Sequence, residues 1–278
     1  MVAKKFVYIN DTFVEEAQAS ILVSDLSIHR GYGIFDFFKT INGKPIFLQD
    51  HLERFYHSAA SMHLKVIQTP IELENILTEM RERNQIPDSG IKITLTGGYS
   101  SDGYTLPESP NLIITQNPLH LSLDFNPAGI SVVTYPYQRQ LSEMKTLDYS
   151  MAIWLQPYIK ESNSDDVLYH NNGSVKEVPR ANFFIVTKDD EVVTAKTNVL
   201  SGVIRKNIFK LENTGLKITE RDFTLDELRN AKEAFITSTT KHISPVLKVD
   251  GKSVGDGKAG KTSAHLSSQL LERVRQEL

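Results

Sequence analysis

The sequence predicts a mixed α/β chain of two domains, and three observations support that prediction. At 278 residues the chain lies in the size range where one hydrophobic core usually gives way to two. Residues 1 to about 115 alternate between strand-like and helix-like segments. Beyond them strand-like segments outnumber helices and are separated by hairpin-turn pairs, which argues against an open parallel sheet. The expected domains are a small α/β domain, residues 1–120, and a larger domain, residues 121–278.

Composition indicates an ordinary globular protein. Hydrophobic residues make up 40% of the chain and charged residues 23%, and the net charge is -3 with no long run of Lys or Arg, so nucleic acid is not an expected partner. Cysteine is absent, which excludes disulfides and cysteine nucleophiles. The N-terminal apolar run is too short for a signal peptide, and no stretch approaches the length of a membrane span. We therefore expect a cytoplasmic protein.

The first domain has strand, helix and turn signals in a clear order. The segments "KFVYIN" and "FFKTINGKPIFL" predict strands, the second containing a hairpin at Asn42-Gly43. "LQDHLERFYHSAASMHL" predicts an amphipathic helix because apolar residues recur at helical spacing: Leu52, Phe55, Ala59 and Met62. A second helix, "PIELENILTEMRERNQ", precedes the strands "GIKITLTGGY" and "NLIITQNP". His51 and His57 lie on this surface-type helix and are expected to be solvated or to cap it rather than to bind a metal.

A linker is expected near Pro118 to Pro127, where two Asn-Pro steps interrupt the periodicity. The second domain then predicts strands at "ISVVTYPY", "DVLYHNNGSVKEV", "NFFIVTKDDEVVTA", "EAFITSTT" and "ISPVLKVDGKSV". Hairpin turns are expected at Asn172-Gly173 and Asp250-Gly251, and helices from about Tyr149, from about Ser201 and at the C-terminus.

One segment matches a nucleotide-binding motif. "GDGKAGKT", Gly255 to Thr262, fits the phosphate-loop pattern, which taken alone indicates a nucleotide triphosphatase using Lys261. Only 16 residues follow it, so the parallel sheet and the magnesium-holding carboxylate of such enzymes are missing. We interpret the segment as a glycine-rich hairpin exit and helix start. The histidines show no spacing typical of a zinc site, and no metal is expected.

The segment "SEMKTLDYSM" places Lys145 between Glu143 and Asp148, where a strand is expected to give way to a helix. A lysine is protonated at neutral pH and becomes a useful nucleophile only when it is desolvated or bound to a carbonyl cofactor. Taken alone, Lys145 is a surface charge.

Further segments contain groups suited to an anionic cofactor. Arg54 is a candidate phosphate clamp or an ion-pair partner of Asp50, and Glu177 precedes an apolar strand, facing inward or lying at an exposed edge. Ser201-Gly202 starts a helix, so the N–H groups of Val203 and Ile204 form an anion site or an ordinary helix cap. Ser238, Thr239 and Thr240 offer hydroxyls for a phosphate cup or for a turn.

Together these segments resemble the fold-type IV family of pyridoxal-phosphate enzymes: branched-chain aminotransferases, D-amino-acid aminotransferases and aminodeoxychorismate lyases. The resemblance extends from "DLSIHRGYGIFDFFKTINGKPIFLQDHLERF" through "MKTLDY", "KEVPRANFF" and "LSGVIRK" to "TSTTKHISPVLKVDGKSVGDGKAG". It implies a small α/β domain, a larger pseudo-barrel domain and a homodimer.

The resemblance also implies residue roles. Lys145 would hold pyridoxal 5'-phosphate as an aldimine, act as the general base and be the one lysine that is not a surface charge, while Glu177 would face the pyridine nitrogen. Tyr149 would approach the phenolic oxygen. The remaining cofactor contacts would go to the phosphate: Arg54, Gly202, Val203, Ile204 and Thr239.

Departures from the family pattern bear on the substrate. Where the D-amino-acid branch has an arginine and a histidine, this chain has Asp102 and Tyr104. "FDFFK" resembles the F-E-G-x-R motif of branched-chain enzymes, with Asp36 for the acid, Lys39 for the base, and Phe35 and Phe37 as an apolar wall. The expected substrate-binding residues are Phe35, Lys39, Tyr104 and Thr240. Arg180 reinforces anion binding or points to solvent.

We therefore expect an aminotransferase that exchanges the amino group of a hydrophobic, branched-chain-type amino acid with 2-oxoglutarate. A lyase that eliminates pyruvate and a D-amino-acid aminotransferase are the alternatives.

Overall fold

The structure, a computed structural model, describes residues 4–120 and 122–278, and these form two compact units. The first unit contains the described residues up to His120 together with Met144–Asp148 and Glu277–Leu278. The second contains residues 122–143 and Tyr149–Gln276. The short segment that carries Lys145 therefore packs with the first unit, although 23 residues separate it from His120 in sequence.

The first unit is an antiparallel sheet with helices. Its strands are β1 Phe6–Ile9, β2 Thr12–Glu15, β3 Gly33–Ile41, β4 Lys44–Pro45, β5 Ser89–Thr96 and β6 Leu112–Pro118, in the order β2-β1-β6-β5-β3-β4. Its α-helices are α1 Leu26–Arg30, α2 Leu48–Ser61 and α3 Pro70–Asn84, and a 3₁₀ turn covers Glu16–Gln18. The Thr69 hydroxyl and Glu72 carboxylate form a capping box that fixes the start of α3.

The two faces of this sheet differ in character. Alternate residues of a strand point to opposite faces. One face of β3 and β5 packs with residues of α2 and α3 into the core of the unit: Ile34, Phe38, Leu52, Phe55, Leu73, Leu77, Ile91 and Ile93. The alternate positions of β3 carry Phe35, Phe37 and Lys39. The sheet therefore presents aromatic and basic side chains on the face opposite its helices.

The second unit is a curled mixed sheet. Its strands are β7 Ile130–Pro136, β8 Asp166–Asn171, β9 Ser174–Val175, β10 Glu177–Val178, β11 Ala181–Val186, β12 Val192–Thr194, β13 Ile218–Glu220, β14 Glu233–Ser238, β15 His242–Val249 and β16 Lys252–Ser253. The order is β13-β12-β11-β14-β15-β7-β8-β9, with β10 beside β11 and β16 beside β15. Because β10 pairs with β11 and also contacts β8, the sheet curls back on itself, as the pseudo-barrel prediction required.

Helices of the second unit are α4 Ser150–Trp154, α5 Gln156–Glu161, α6 Val203–Phe209, α7 Leu225–Arg229 and α8 Lys261–Gln276. They agree with the three helical regions expected from sequence, and the short α7 adds one that was not predicted. Among the described residues, no helix is both long and apolar enough to cross a membrane.

The three predicted hairpins are confirmed. The turns at Asn42-Gly43, Asn172-Gly173 and Asp250-Gly251 each join strands through two residues with positive φ, between 47° and 82°. Two successive positive φ values define the turn type whose twist matches paired strands, and Asn, Asp and Gly tolerate them best. Local turn chemistry alone therefore fixed the register of these strand pairs.

The glycine-rich segment before α8 is a helix start, as the sequence interpretation held. The Glu233 carboxylate accepts hydrogen bonds from the backbone N–H groups of Thr262 and Ser263, both at 2.8 Å. These are the first-turn donors that a phosphate loop would offer to a nucleotide. A Cβ added at Gly260 would lie 1.8 Å from the Glu233 carboxyl carbon. A carboxylate of the chain itself thus takes the place of a phosphate, and the triphosphatase alternative is wrong.

Candidate active site

The backbone around Lys145 is tied to β3 and α2. The Lys145 carbonyl accepts a hydrogen bond from the Phe35 N–H at 2.9 Å, and the Leu147 N–H donates to the Gly33 carbonyl at 2.9 Å. The Lys145 N–H donates to the Ser58 hydroxyl on α2 at 3.3 Å. A Cβ at Gly33 would lie 2.7 Å from the Leu147 side chain, so glycine permits this close approach. The position of the Lys145 Cα is consequently fixed on both sides.

The Lys145 ammonium lies over an aromatic ring. Its Nζ is 4.5 Å from the centre of the Phe35 ring, and Lys92 Nζ is 4.7 Å from the same centre. A cation over a ring face is attracted by the ring quadrupole. Lys145 is partly buried, but the expectation that it is the one lysine that is not a surface charge is wrong, because Lys39 and Lys176 are buried more deeply.

Arg54 is paired with a buried carboxylate. Its Nε donates to Asp36 Oδ2 at 2.8 Å and its Nη2 to Asp36 Oδ1 at 2.9 Å, while His51 Nδ1 lies 2.6 Å from Oδ1. Burial alone would raise the pKa of Asp36, but the charge of Arg54 and the contact with His51 outweigh it and hold that pKa well below its usual range. This geometry orients the guanidinium plane of Arg54.

Two sequence interpretations change here. Asp36 was assigned to a substrate motif, yet its side chain is fully buried beneath α2, on the face of β3 opposite Phe35. His51 was expected at the surface, but its ring is 1% exposed and contacts Asp36, whereas His57 is exposed as expected. The amphipathic pattern failed at His51 because its polar partner lies 15 residues away on another element.

Lys39 is buried, and its side chain lies on the aromatic face of the sheet. It is 1% exposed, and burial lowers its pKa from 10.5 to about 7. It shares the face of β3 that carries Phe35 and Phe37, and Phe37 packs over Gly90 of β5, where a Cβ would lie 2.4 Å from the ring. A lysine with such a pKa changes its charge near neutral pH.

In the second unit, Glu177 is buried, and Arg139 and the backbone of Leu200 hold its carboxylate. Arg139 Nε donates to Glu177 Oε1 at 2.6 Å, and the Leu200 N–H donates to Oε2 at 3.0 Å. The carboxylate side chain is 5% exposed, so the inward-facing alternative for Glu177 is correct. Arg139 also donates to the Ser142 carbonyl. Sequence reasoning missed Arg139, because 38 residues separate it from Glu177.

The start of α6 packs tightly on β11. Asn182 Nδ2 donates to the Leu200 carbonyl at 2.7 Å, and a Cβ added at Gly202 would lie 2.0 Å from Asn182 Oδ1. Gly202 is the N-cap of α6, so the N–H groups of Val203 and Ile204 belong to the first turn, where the helix supplies no acceptor. The sequence predicted the helix start but not the role of Asn182.

The other predicted residues lie on turns and loops. Tyr149 is the partly buried N-cap of α4, and Thr239 and Thr240 form the turn between β14 and β15. Tyr104 is 82% exposed on a loop that the Asp102 carboxylate organises by accepting hydrogen bonds from neighbouring backbone and hydroxyl groups. The Arg180 side chain is 75% exposed, which favours the solvent-facing alternative.

No group of three or more potential metal-ligating side chains is present in residues 4–120 and 122–278.

Comparison with known proteins connects these features to one family. The family model described as amino-transferase class IV matches residues 33–249. The D-alanine aminotransferase of Staphylococcus haemolyticus is 28% identical over 267 residues, covering 94% of each chain, and that of Bacillus licheniformis is 27% identical, covering 98% of each.

Solved structures show the same fold at lower identity. The T.th. branched-chain amino acid aminotransferase with pyridoxamine 5'-phosphate has a TM-score of 0.88 at 21% identity, covering 100% of this chain and 96% of that one. The enzyme of Thermoproteus uzoniensis with norvaline has a TM-score of 0.84 at 23% identity, covering 98% and 94%. Since the family match runs from the first residue of β3 to the last residue of β15, this chain belongs to the class IV aminotransferases.

Proposed function

We propose that this enzyme transfers an amino group between an amino acid and a 2-oxo acid, using pyridoxal 5'-phosphate bound covalently to Lys145. The observation that carries the proposal is the fixed backbone of Lys145, hydrogen-bonded to β3 and to α2, with its amine over the Phe35 ring. A lysine that must release and recapture a cofactor needs a stationary Cα and a mobile amine. Family membership and the pyridoxamine phosphate in the T.th. enzyme support the same cofactor.

The residues present fit this group. Arg54, oriented by Asp36, and the first-turn N–H groups of Val203 and Ile204 are suited to the phosphate dianion, with the Thr239 hydroxyl as a further donor. A Cβ at Gly202 would clash with Asn182 Oδ1, so the start of α6 requires glycine at this position.

Glu177 is suited to the pyridine nitrogen. Its carboxylate is buried, and Arg139 and the Leu200 N–H fix its orientation. An ionised carboxylate facing that nitrogen keeps the nitrogen protonated.

When bound, the cofactor supplies an electron sink for the carbanion left by deprotonation of the substrate. The residues of this chain hold and move the proton. Lys145 Nζ takes the proton from the substrate carbon and returns it, which requires a neutral amine in a partly desolvated position. Tyr149, at the start of α4, is proposed to contact the phenolic oxygen. Arg139 acts through Glu177, and Asp36 acts through Arg54, as positioning residues.

For the amino donor we propose a hydrophobic, branched-chain-type amino acid, with 2-oxoglutarate as the acceptor. The support is the Phe35 and Phe37 surface beside Lys145. Lys39, Tyr104 and Thr240 are proposed to contact the substrate as well. The D-alanine aminotransferases among the relatives favour a second candidate, D-alanine as donor. Pyruvate elimination without any 2-oxo acid remains the third outcome to test.

We further propose a cytoplasmic homodimer. The support is that the first unit has large apolar side chains that are more than half exposed: Leu22, Val23, Ile28, Ile67, Ile71 and Tyr104. An apolar surface of this kind is typical of a protein interface. Light scattering coupled to size-exclusion chromatography tests it, with the mass of one chain as the contrary result.

The test of the cofactor proposal is reductive trapping. Holoenzyme treated with borohydride should carry a pyridoxyl adduct on the peptide containing Lys145, and the variant Lys145→Ala should carry none. Lys65→Ala, which removes an exposed lysine of the same unit, is the matched control and should keep the adduct. An adduct on another peptide, or none, would disprove the assignment.

The amino donor is identified from the half-reaction. Single amino acids of both hands are mixed with the yellow holoenzyme, and loss of the yellow colour identifies the donors. Bleaching by L-leucine or L-valine supports the branched-chain donor. Bleaching by D-alanine, with at most one pyruvate released per site, supports the second candidate. Pyruvate release from aminodeoxychorismate over many turnovers, without bleaching and without an acceptor, selects the lyase.

A further inference from the structure

The loop that joins β12 to α6, residues 195–202, supplies the backbone group that contacts Glu177. The Leu200 N–H donates to Glu177 Oε2 at 3.0 Å, and the Leu200 carbonyl accepts from Asn182 Nδ2 at 2.7 Å. The β12–α6 loop contains no helix or strand, and residues 196–198 are exposed. An exposed loop is usually mobile, because few contacts hold it. A defined position of the Leu200 N–H therefore requires that other residues hold the loop.

The Asp222 carboxylate holds the exposed part of the β12–α6 loop. Its Oδ1 accepts hydrogen bonds from the backbone N–H groups of Lys196 and Thr197, both at 3.0 Å. Its Oδ2 accepts a hydrogen bond from the Thr197 hydroxyl. Hydrogen bonds to an ionised acceptor are stronger than those between neutral groups. Because one carboxylate binds three donors on two successive residues, this part of the loop is fixed relative to Asp222.

The buried side chain of Lys176 contacts both the loop and Asp222. Its Nζ lies 3.3 Å from Asp222 Oδ2, and it donates to the Thr197 carbonyl at 3.3 Å and to the Thr197 hydroxyl at 3.4 Å. Lys176 is 4% exposed, so its ammonium group has lost most of its hydration. A buried ion pair of this kind adds little net stability, and its best-attested role is to fix the register of the segments that it joins.

Lys176 and Glu177 are consecutive residues, and both contact the β12–α6 loop. Lys176 lies in the break between β9 and β10, where the alternation of a strand does not direct its side chain away from that of Glu177. Lys176 contacts Thr197, and Glu177 contacts Leu200, three residues further along the loop. The Lys176 N–H is bonded to the Tyr169 carbonyl of β8 at 2.9 Å. The contact at Thr197 therefore determines where Leu200 meets Glu177.

We propose that Asp222 and Lys176 are positioning residues of the cofactor site, which act through Thr197 to keep the Leu200 N–H bonded to Glu177. The inference rests on the proposed function, in which Glu177 faces the pyridine nitrogen of the bound cofactor. A hydrogen bond to a carboxylate favours its ionised form, and the ionised form keeps that nitrogen protonated. If the loop moved, Glu177 would lose this bond, and the pyridine nitrogen would be protonated in a smaller fraction of the molecules.

The test follows the pyridine nitrogen directly. Each variant is loaded with isotope-labelled pyridoxal 5'-phosphate, and nitrogen NMR gives the protonated fraction at that atom. Asp222→Ala should move the nitrogen shift toward that of Glu177→Gln, which lacks the carboxylate, but only in part, because Arg139 still contacts Oε1. The Kd of the cofactor should rise about tenfold, the loss of one charged hydrogen bond. Asp222→Asn, which keeps an oxygen acceptor, and Lys176→Met, which keeps the carboxylate, should each show smaller changes.

The control separates positioning from general stability. Val167→Ala removes buried volume from a core cluster of the same unit that contains no residue of the β12–α6 loop. It should lower the melting temperature but leave the nitrogen shift and the cofactor Kd like those of the wild type. A wild-type nitrogen shift in Asp222→Ala would overturn the positioning role. The same change in Val167→Ala, at a comparable melting temperature, would overturn it as well.

The outcomes also separate this inference from the proposed function. A failed positioning test leaves the adduct on Lys145, and with it transamination, intact. Absence of a pyridoxyl adduct on Lys145 would overturn the proposed function, and this inference with it. If Asp222→Ala does not fold, Asp222→Asn and Lys176→Met decide the question, and wild-type nitrogen shifts in both would overturn the proposal.

Discussion

Replacing Asp36 by Asn should destabilise the first unit in a way that depends on pH. The change removes the charge that Arg54 faces in two short hydrogen bonds while leaving the guanidinium 9% exposed. Breaking a buried pair by removing one partner leaves an uncompensated charge and costs about 3–5 kcal/mol. Because Asp36 is fully buried, we expect a loss of stability within this range rather than the smaller loss, below about 1 kcal/mol, that is typical of surface ion pairs.

The pH dependence follows from the direction of the pKa shift. The pKa of Asp36 is held below its unfolded value, so its contribution to stability is fully present above pH ~4 and is lost as the pH falls through the folded-state value. The stability difference between wild type and Asp36→Asn should therefore be largest at neutral pH. It should shrink progressively below pH ~4.

Urea unfolding followed by circular dichroism at several pH values measures this difference. Asp189→Asn, at an exposed turn of the second unit, is the control and should differ from the wild type by less than about 0.5 kcal/mol. Equal stability of Asp36→Asn and the wild type at pH 7, or a difference that stays constant down to pH ~3, would refute the argument that the buried pair supplies the stability.

Three further substitutions test other contacts. Gly202→Ala should weaken binding of pyridoxal 5'-phosphate, measured by absorbance titration, because the new Cβ would clash with Asn182 Oδ1. The additional change Asn182→Ala should recover part of the lost affinity. If the double variant binds no better, the clash with Asn182 is not the cause of the loss. Glu233→Ala should lower the free energy of unfolding by about 1 kcal/mol, because it removes the cap of α8. Urea unfolding measures this loss, and Glu233→Gln should lose less. Equal losses in the two variants would contradict capping by the carboxylate charge. Lys39→Met should raise stability most at or below pH 7, and its advantage should shrink as the pH rises toward ~10.5, because a lysine with a lowered folded-state pKa sheds its burial cost as it deprotonates. A constant advantage across that range would show that Lys39 does not titrate as its burial implies.

Elements whose cause is local were predictable from sequence. The three hairpin turns follow from Asn-Gly and Asp-Gly pairs, which adopt positive φ with little strain, and α2 follows from apolar residues at helical spacing. The place of Lys145 in the family pattern was also visible, because the motif around it is short.

Pairings between distant segments were not predictable. Asp36 meets Arg54 across 18 residues, and Arg139 meets Glu177 across 38, in both cases because tertiary packing brings together segments that are distant in sequence. No local period of charge or hydropathy encodes such a partner.

The ties of the Lys145 backbone to Phe35, Gly33 and Ser58 have a consequence for repeated turnover. In the proposed reaction, the Lys145 amine leaves the carbon atom to which it is bonded and later bonds to it again. Because the main chain of Lys145 is held in place, the amine moves by rotation about the bonds of its own side chain. The bond between the amine and the cofactor can then form again without any rearrangement of the surrounding fold. A more mobile main chain at Lys145 would slow this step.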